Sequence, residues 1–100
     1  MEKYKVKLNP RAFREIDDIF SYIALEKLSP ENAKRQTDRI RMALATLDTF
    51  PQSHQERSEG RYADKEYRQL LIDNYIAIFR IDETEKIVHV VTVQYQARNL

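Results

Sequence analysis

Two histidines are the first residues of this chain that could do chemistry. His54 and His89 are its only imidazole groups, and imidazole titrates near neutral pH, so such a pair could supply the acid and the base of metal-free RNA cleavage. His54 lies in a polar segment and His89 alternates with apolar residues, which favours structural roles for both. No carboxylate or second histidine stands at ligand spacing from either, so no metal site is expected.

Arginines near the predicted strands carry a stronger signal. Three of them lie within or just after those strands: Arg68, Arg80 and Arg98. A guanidinium group suits phosphate recognition. Three tyrosines near them in the sequence could stack on bases: Tyr67, Tyr75 and Tyr95. The same arginines could instead meet carboxylates of a partner protein or extend from the sheet into solvent, and the sequence leaves these alternatives open.

Length and composition limit what these residues can belong to. One hundred residues at 42% hydrophobic predict a single domain spanning residues 1–100. The absence of cysteine excludes disulfides and thiolate sites. No apolar run approaches a membrane span and no signal peptide is apparent, so a cytoplasmic protein is expected. With 17 basic and 16 acidic residues, a field that attracts polyanions is not indicated for the whole protein, although local patches remain open.

The first half of the chain predicts a strand followed by a helical hairpin. Residues 3–8 alternate lysine with apolar residues, as a strand with one wet face does, and the lysines discourage pairing of sheet edges. Asn9-Pro10 begins a helix whose apolar face contains Phe13, Ile16, Ile19, Phe20 and Ile23. Ser29-Pro30 begins a second helix, ending at Phe50-Pro51, whose inner face contains Ala33, Thr37, Ile40, Leu44 and Leu47.

The second half predicts a loop and then three strands. Residues 52–65 are polar and are expected to form an exposed loop with a short extended stretch at 61–63. Strands are predicted at 67–72, 75–81 and 86–95, joined by turns at 73–74 and 82–85. The order is β-α-α-β-β-β, which predicts an α+β fold with an antiparallel helix hairpin packed on one face of a small, mainly antiparallel sheet.

The turn at Asp73-Asn74 also predicts how the strands pair. A two-residue turn places Ile72 opposite Tyr75, and further along it places Arg68 opposite Phe79. The other face of the sheet then holds Tyr67, Gln69, Leu71, Ile76, Ile78 and Arg80. Two helices cover one face only, so this partly apolar face is expected to receive a partner, with the long loop or a homodimer as the alternative covers.

The sequence as a whole resembles the RelE/ParE superfamily, the toxin halves of bacterial type II toxin–antitoxin modules. The opening KYKVKLNPRAFREIDDIFSYI, the helix ending at Phe50-Pro51 and the stretch YRQLLIDNYIAIFRIDETEKIVHVVTVQYQAR carry the resemblance. Its most specific part, residues 67–98, has an R-x-L-x-x-x-N-Y segment, an aromatic-R-I-D turn and a valine strand closing on Tyr-x-x-Arg-Asn. The resemblance implies a growth-inhibiting toxin that needs no cofactor or metal and is neutralised by a cognate antitoxin. It also implies that the toxin contacts DNA only indirectly, through the antitoxin.

The superfamily implies two alternative activities. ParE-like members poison DNA gyrase, whereas RelE-like members are metal-independent, ribosome-dependent mRNA endonucleases. The nucleases place an arginine after the aromatic residue that begins the middle strand, and here Ile76 follows Tyr75. An isoleucine cannot stabilise charge at a scissile phosphate, so action on gyrase is favoured. The nuclease alternative would use Arg68, Tyr95 and Arg98 as catalytic groups, and a third alternative is a non-toxic interaction module or decayed toxin.

The residues expected to bind partners lie in two groups. The sheet group is Arg68, Arg80, Tyr95 and Arg98, and the hairpin group is Lys34, Arg35 and Arg39. Arg68, Tyr95 and Arg98 are expected to lie together at the carboxyl-terminal end of the sheet. The antitoxin is expected to fold around the chain, covering apolar strand or hairpin surface and pairing carboxylates with the arginines. A single core is predicted from Phe13, Ile16, Ile23, Ile40, Leu44, Leu47 and Phe79.

Overall fold

A computed structural model describes residues 3–58, 60–63 and 66–96. Its elements follow the predicted order: β1 (Lys5–Leu8), α1 (Pro10–Ser21), α2 (Pro30–Ala45), β2 (Arg68–Ile72), β3 (Tyr75–Asp82) and β4 (Ile87–Tyr95). A π-helical turn, Tyr22–Glu26, follows α1. The two helices pack on a sheet of four strands. The predicted α+β fold is therefore confirmed.

The sheet has the strand order β1-β4-β3-β2. β1 runs parallel to β4, and the other neighbouring strands are antiparallel. Ile72 pairs with Tyr75 and Arg68 with Phe79, which confirms the predicted register. The turn between β2 and β3 is possible because Asp73 has a positive φ of 54°, a conformation that aspartate and asparagine tolerate better than most residues. A bulge between Ile78 and Phe79 shifts the pairing with β4.

α1 contacts the sheet through a narrower stripe than its apolar pattern suggests. Ala12 and Ile16 are fully buried and Ile19 is half-buried, whereas Phe13 is 52% exposed and Phe20 is 39% exposed. At 3.6 residues per turn, the two phenylalanines lie roughly 70–90° around the helix from the buried stripe. The predicted core position of Phe13 is therefore wrong. The small side chain of Ala12 takes the place nearest the sheet.

The main core lies between the helices and the sheet. α2 buries the face predicted for it, and Leu47 follows in a short helical turn. The fully buried members of this cluster include Ile16, Ile40, Leu47, Ala77, Phe79, Val88 and Val90. Thr37 can be buried without leaving its hydroxyl unpaired, because the hydroxyl donates a hydrogen bond to the Ala33 carbonyl at 2.9 Å. Apart from Phe13 and the half-buried Ile23, the predicted core is observed.

The long loop covers much of the face of the sheet that the helices leave open. Tyr62 packs on Ile76 and Ile78, and all three are buried. Tyr62 lies in a helical turn, Gly60–Tyr62, so the extended stretch expected at 61–63 is wrong; Gly60 adopts a positive φ of 74° as this turn begins. The chain's own loop, which was the alternative to a partner, thus covers Ile76 and Ile78, whereas Leu71 on the same face is 57% exposed.

Candidate functional site

Arg68 is bound to the loop that precedes its strand. Its guanidinium donates a hydrogen bond to the His54 carbonyl at 2.7 Å and lies 3.4 Å from the Glu56 carboxylate. The Arg68 side chain is only 24% exposed. These contacts hold the guanidinium beside the loop segment that pairs with the edge strand β2. Arg68 therefore fastens the loop to the sheet and presents little of its charge to solvent.

Tyr95 ends β4 beside a second tyrosine. Its ring meets the ring of Tyr75 edge-on, with centroids 5.8 Å apart, and Tyr95 itself is 47% exposed. Burial, together with the neighbouring Tyr95 and Tyr22 phenols, raises the pKa of the Tyr75 hydroxyl above its ordinary value. At neutral pH this hydroxyl keeps its proton, so it can donate a hydrogen bond but makes a poor general base.

The strand register separates Arg68 from Tyr95. Arg68 pairs with Phe79, whereas Tyr95 pairs with Tyr75, which precedes Phe79 by four residues in β3. Arg68 and Tyr95 also lie on strands that are two strand spacings apart in the sheet. Strand geometry puts their backbones about 16 Å apart. The expectation that these two residues lie together at one end of the sheet is wrong, because the hairpin places the start of β2 beside the end of β3. Arg98 lies outside the described residues.

A cleft of about 810 Å³ opens beside Tyr75 and Tyr95. β1 ends at Leu8, so the last residues of β4 are flanked by α1 and the π-helical turn instead of a strand. Ile19 and Tyr22 line the cleft from that side. The volume is within the range of ligand pockets, and the lining combines apolar and aromatic side chains with the charged groups of Asp18 and Lys27.

Glu15, which also lines this cleft, is bonded to β4. Its carboxylate accepts a hydrogen bond from the Thr92 hydroxyl at 2.7 Å and another from the Val93 backbone N–H at 3.0 Å. Arg11 lies 3.5 Å from the same carboxylate. These contacts give hydrogen-bond partners to Thr92 and Val93 of β4, which lie beyond the point where β1 ends. The sequence reasoning missed Glu15 because 77 residue positions separate it from Thr92, and no local pattern announces such a contact.

The sheet lies between the two histidines. The His54 ring meets the Phe79 ring edge-on in the main core, with centroids 5.8 Å apart, while His89 pairs with Arg80 on the opposite, outer face. Burial, and then the charges of Arg80 and Lys7, hold the pKa of His89 below its ordinary value against the opposing effect of Asp82. The histidines therefore cannot act as one acid–base pair.

The cations of the helix hairpin already have partners within the protein. Lys34 lies 2.7 Å from Asp38, and Arg35 donates a hydrogen bond to Asn32 at 3.2 Å, both along the exposed face of α2. Arg39 reaches Asp73 in the β2–β3 turn at 2.6 Å. Such exposed pairs contribute little stability and exchange readily, so Lys34 and Arg35 stay accessible to a partner. Arg39 ties α2 to the sheet.

Apolar side chains are unusually exposed on the helix hairpin. We name as the hairpin apolar surface the residues Phe13, Phe20, Leu25, Leu28 and Met42, which are 39–84% exposed. Single exposed apolar residues are normal on a protein surface, and these five are spread over α1, the π-helical turn, the link before α2 and α2 itself. Among the described residues, no group of three possible ligands could hold a metal ion. No helix in the same ranges has the length and apolarity to cross a membrane.

Comparison with known proteins places the chain in a class of bacterial toxins. Residues 6–100 match the family model described as the ParE toxin of type II toxin–antitoxin systems, parDE. The chain therefore belongs to the ParE toxin family of type II toxin–antitoxin systems. The search of curated proteins found no match.

Solved structures share this fold at low identity. The chromosomal ParDE toxin–antitoxin system from P. aeruginosa matches with 19% identity and a TM-score of 0.75, over 93% of this chain and 96% of that one. The intact E. coli RelBE complex matches with 13% identity and a TM-score of 0.62, over 95% and 99% of the two chains. An archaeal RelE–RelB complex from Pyrococcus horikoshii matches with 12% identity and a TM-score of 0.64, over 96% and 98%. The superfamily identified from the sequence is thus confirmed.

Proposed function

We propose that this toxin inhibits bacterial growth by acting on DNA gyrase and that a cognate antitoxin neutralises it. The observation that carries the choice of gyrase is the separation of Arg68 from Tyr95 by about 16 Å of sheet. An endonuclease needs a cation and a proton-transfer group within hydrogen-bond reach of one phosphate. Arg68 is held by the His54 carbonyl and Glu56, and the Tyr95 ring packs on the Tyr75 ring, so in this arrangement the two side chains do not converge on one phosphate.

A residue on the opposite face of the sheet from Arg68 and Tyr95 argues the same way. Ile76 stands where the nucleases place an arginine, and it is 4% exposed, packed under Tyr62. Arg68 spends its hydrogen bonds on the loop. The outer face around Ile76 is an apolar cluster that Tyr62 of the loop covers. The chain also matches the ParE family model, and the resemblance implies action on gyrase for ParE-like members.

The antitoxin is expected on the hairpin apolar surface. Antitoxins accompany the toxins in structures that share this fold, including the P. aeruginosa system and the E. coli complex. A segment that folds on binding can bury Phe13 and Phe20 and pair its carboxylates with Lys34 and Arg35. Arg68, Arg80, Tyr95, Arg98 and Arg39 remain proposed contacts for the gyrase or the antitoxin.

The target is tested by expressing the chain alone in E. coli and by assaying the purified protein. We expect filamentous cells and a DNA-damage response while translation continues, together with inhibition of supercoiling by purified gyrase. Immediate arrest of protein synthesis, with mRNA cut on purified ribosomes, would overturn the gyrase proposal. If that cleavage were lost in Arg68→Ala while thermal unfolding stayed cooperative, Arg68 would become a catalytic residue.

The antitoxin surface is tested with matched serine substitutions. Calorimetry measures the binding of the candidate antitoxin, which is sought among the products of adjoining reading frames. Phe13→Ser and Phe20→Ser should each weaken binding at least tenfold, because each removes exposed apolar area from the hairpin. Phe50→Ser is the control, since Phe50 is 59% exposed but lies beyond the hairpin. Equal losses in all three variants would refute the assignment of the surface.

A further inference from the structure

Three tyrosine rings meet in the cleft between α1 and the end of β4. Tyr22 begins the π-helical turn, Tyr75 begins β3 and Tyr95 ends β4, and all three line the cleft. Tyr75 and Tyr95 meet edge-on, and the Tyr22 phenol is near enough to act on the pKa of Tyr75. An edge-on contact uses the edge of one ring and one face of the other, so it leaves ring faces for a ligand.

The π-helical turn places a lysine over one of these rings. The Lys27 backbone N–H donates a hydrogen bond to the Tyr22 carbonyl, five residues earlier, at 3.3 Å. The Lys27 ammonium lies 5.7 Å from the centroid of the Tyr22 ring, within the distance at which a cation is attracted to an aromatic face. π-Helical turns are rare and are frequent at functional sites. The protein's own cation therefore marks a position where the cation of a ligand can bind.

A carboxylate lies one helical turn before Tyr22. Asp18 lines the cleft, and its carboxylate has no ion-pair or hydrogen-bond partner in the part of the chain that the structure describes. Glu15, the other acid of the lining, is already bonded to Arg11 and to β4. Residues four apart are neighbours on a helix surface, so Asp18 and the Tyr22 ring can contact the same ligand. An ammonium group there meets a negative charge and an aromatic face.

We propose that the cleft binds a linear polyamine, a chain of ammonium groups joined by short methylene spacers. One ammonium group takes the place of Lys27 on the Tyr22 ring, and the exposed Lys27 side chain turns into solvent. A second ammonium group lies beside Asp18, while the methylene spacers pack on Ile19 and Ile23 in the lining. The cleft volume of about 810 Å³ leaves room for more than one charged group. The proposal does not depend on gyrase being the target.

Two other classes of ligand fit this cleft less well. An anion could pair with Lys27, but it would meet a like charge at Asp18 and the negative faces of the rings. A single quaternary ammonium group prefers a cage of ring faces, whereas the contact between Tyr75 and Tyr95 is edge-on. It also has no N–H to donate to a carboxylate. A polyamine can use the rings and Asp18 together.

The experiment is a titration of the purified full-length chain with spermidine, followed by NMR of ¹³C-labelled tyrosine rings. The chain has six tyrosines, so those outside the cleft serve as internal controls: Tyr4, Tyr62 and Tyr67. Only the signals of Tyr22, Tyr75 and Tyr95 should shift. The dissociation constant should be about 1 mM, since a small ligand held by exposed contacts binds weakly.

Substitutions of exposed residues test the contacts without removing core volume. Asp18→Asn should weaken spermidine binding about threefold to fivefold, and Tyr22→Leu about threefold, whereas Tyr22→Phe keeps the ring and should bind as the parent does. Lys27→Gln should strengthen binding about threefold, because it removes a competing cation. Asp17→Asn is the matched control, since Asp17 lies 3.9 Å from Arg41 of α2 and outside the cleft lining; its affinity should not change.

Thermal unfolding must show that each variant keeps the fold. The proposal is overturned if all six tyrosines shift alike, or if magnesium chloride at the same concentration of positive charge reproduces the shifts. It is also overturned if Asp17→Asn weakens binding as much as Asp18→Asn, or if Lys27→Gln weakens binding. If trilysine displaces spermidine at a lower concentration than unlabelled spermidine does, the cleft binds a basic protein segment and the polyamine proposal is wrong.

Discussion

Replacing Leu44 by alanine tests the packing of α2 on the sheet. Leu44 is 3% exposed and belongs to the same core cluster as Ile40 and Phe79. Truncation removes apolar atoms from a buried site and leaves a cavity, which costs about 2–5 kcal/mol in unfolding free energy. A domain of this size is stable by about 5–15 kcal/mol. The variant should therefore lose a large part of its stability.

Urea unfolding followed by circular dichroism measures this loss. With a slope of about 1–3 kcal/mol per molar urea, a loss of about 3 kcal/mol lowers the midpoint by roughly 1–3 M. The same loss should lower the melting temperature by roughly 12–24 °C. Phe13→Ala serves as the control, since Phe13 is an apolar residue of the same hairpin that is 52% exposed. Its cost should stay below about 1 kcal/mol.

Two outcomes would refute this reasoning. A loss below about 0.5 kcal/mol in Leu44→Ala would mean that α2 does not face the sheet through Leu44. A loss in Phe13→Ala equal to that in Leu44→Ala would mean that α1 is rotated about its axis, with Phe13 in the core.

Three further outcomes follow from the polar contacts. Arg80→Gln should raise the pKa of His89, because the charge of Arg80 is, after burial, the largest cause that holds this pKa below its ordinary value. An unchanged or lower pKa in an NMR titration would contradict this. Tyr4→Phe removes a hydrogen bond to Glu83 that holds the pKa of that carboxyl below its ordinary value, so the part of the stability difference that comes from this carboxylate should be present at pH 7 and disappear as pH falls through the folded-state pKa. The Gln52 amide also donates to the Tyr4 hydroxyl, so a smaller difference remains at low pH. A difference as large at pH 2 as at pH 7 would refute the reasoning. Glu15→Ala should lower the free energy of unfolding in urea by about 1–3 kcal/mol, because the buried Thr92 hydroxyl and the Val93 backbone N–H lose their acceptor. An unchanged free energy would show that water replaces the carboxylate as acceptor.

The sheet register could be predicted because its cause is local. Asp73-Asn74 is a turn of two residues, and a turn of that length leaves one way to pair Ile72 with Tyr75 and each pair beyond it. The inner face of α2 could be predicted for a similar reason, since the spacing of Ile40 and Leu44 fixes a single stripe. Both features depend on residues that are close together in sequence.

The errors arose where distant segments meet. The apolar arc of α1 is wide enough for either Phe13 or Ala12 to face the sheet, and only the close approach of the helix selects Ala12. The position of Arg68 depends on the loop residues His54 and Glu56, and nothing local shows that this loop returns to the edge of β2. The pairing of Lys7 with His89 depends on the parallel alignment of β1 with β4, which the sequence pattern did not specify.

The central position of β4 has a consequence for how quickly the toxin becomes harmful. β4 is the last of the six elements to be synthesised, yet it holds β1 on one side and β3 on the other. Lys5 pairs with Ile87, 82 positions away, and closures this long slow folding because chain entropy is lost before contacts form. At about 5–20 residues per second, the ribosome delivers β1, α1 and α2 seconds before the strand that completes their core. The hairpin that we propose as the antitoxin surface therefore leaves the ribosome seconds before the strand that completes the sheet.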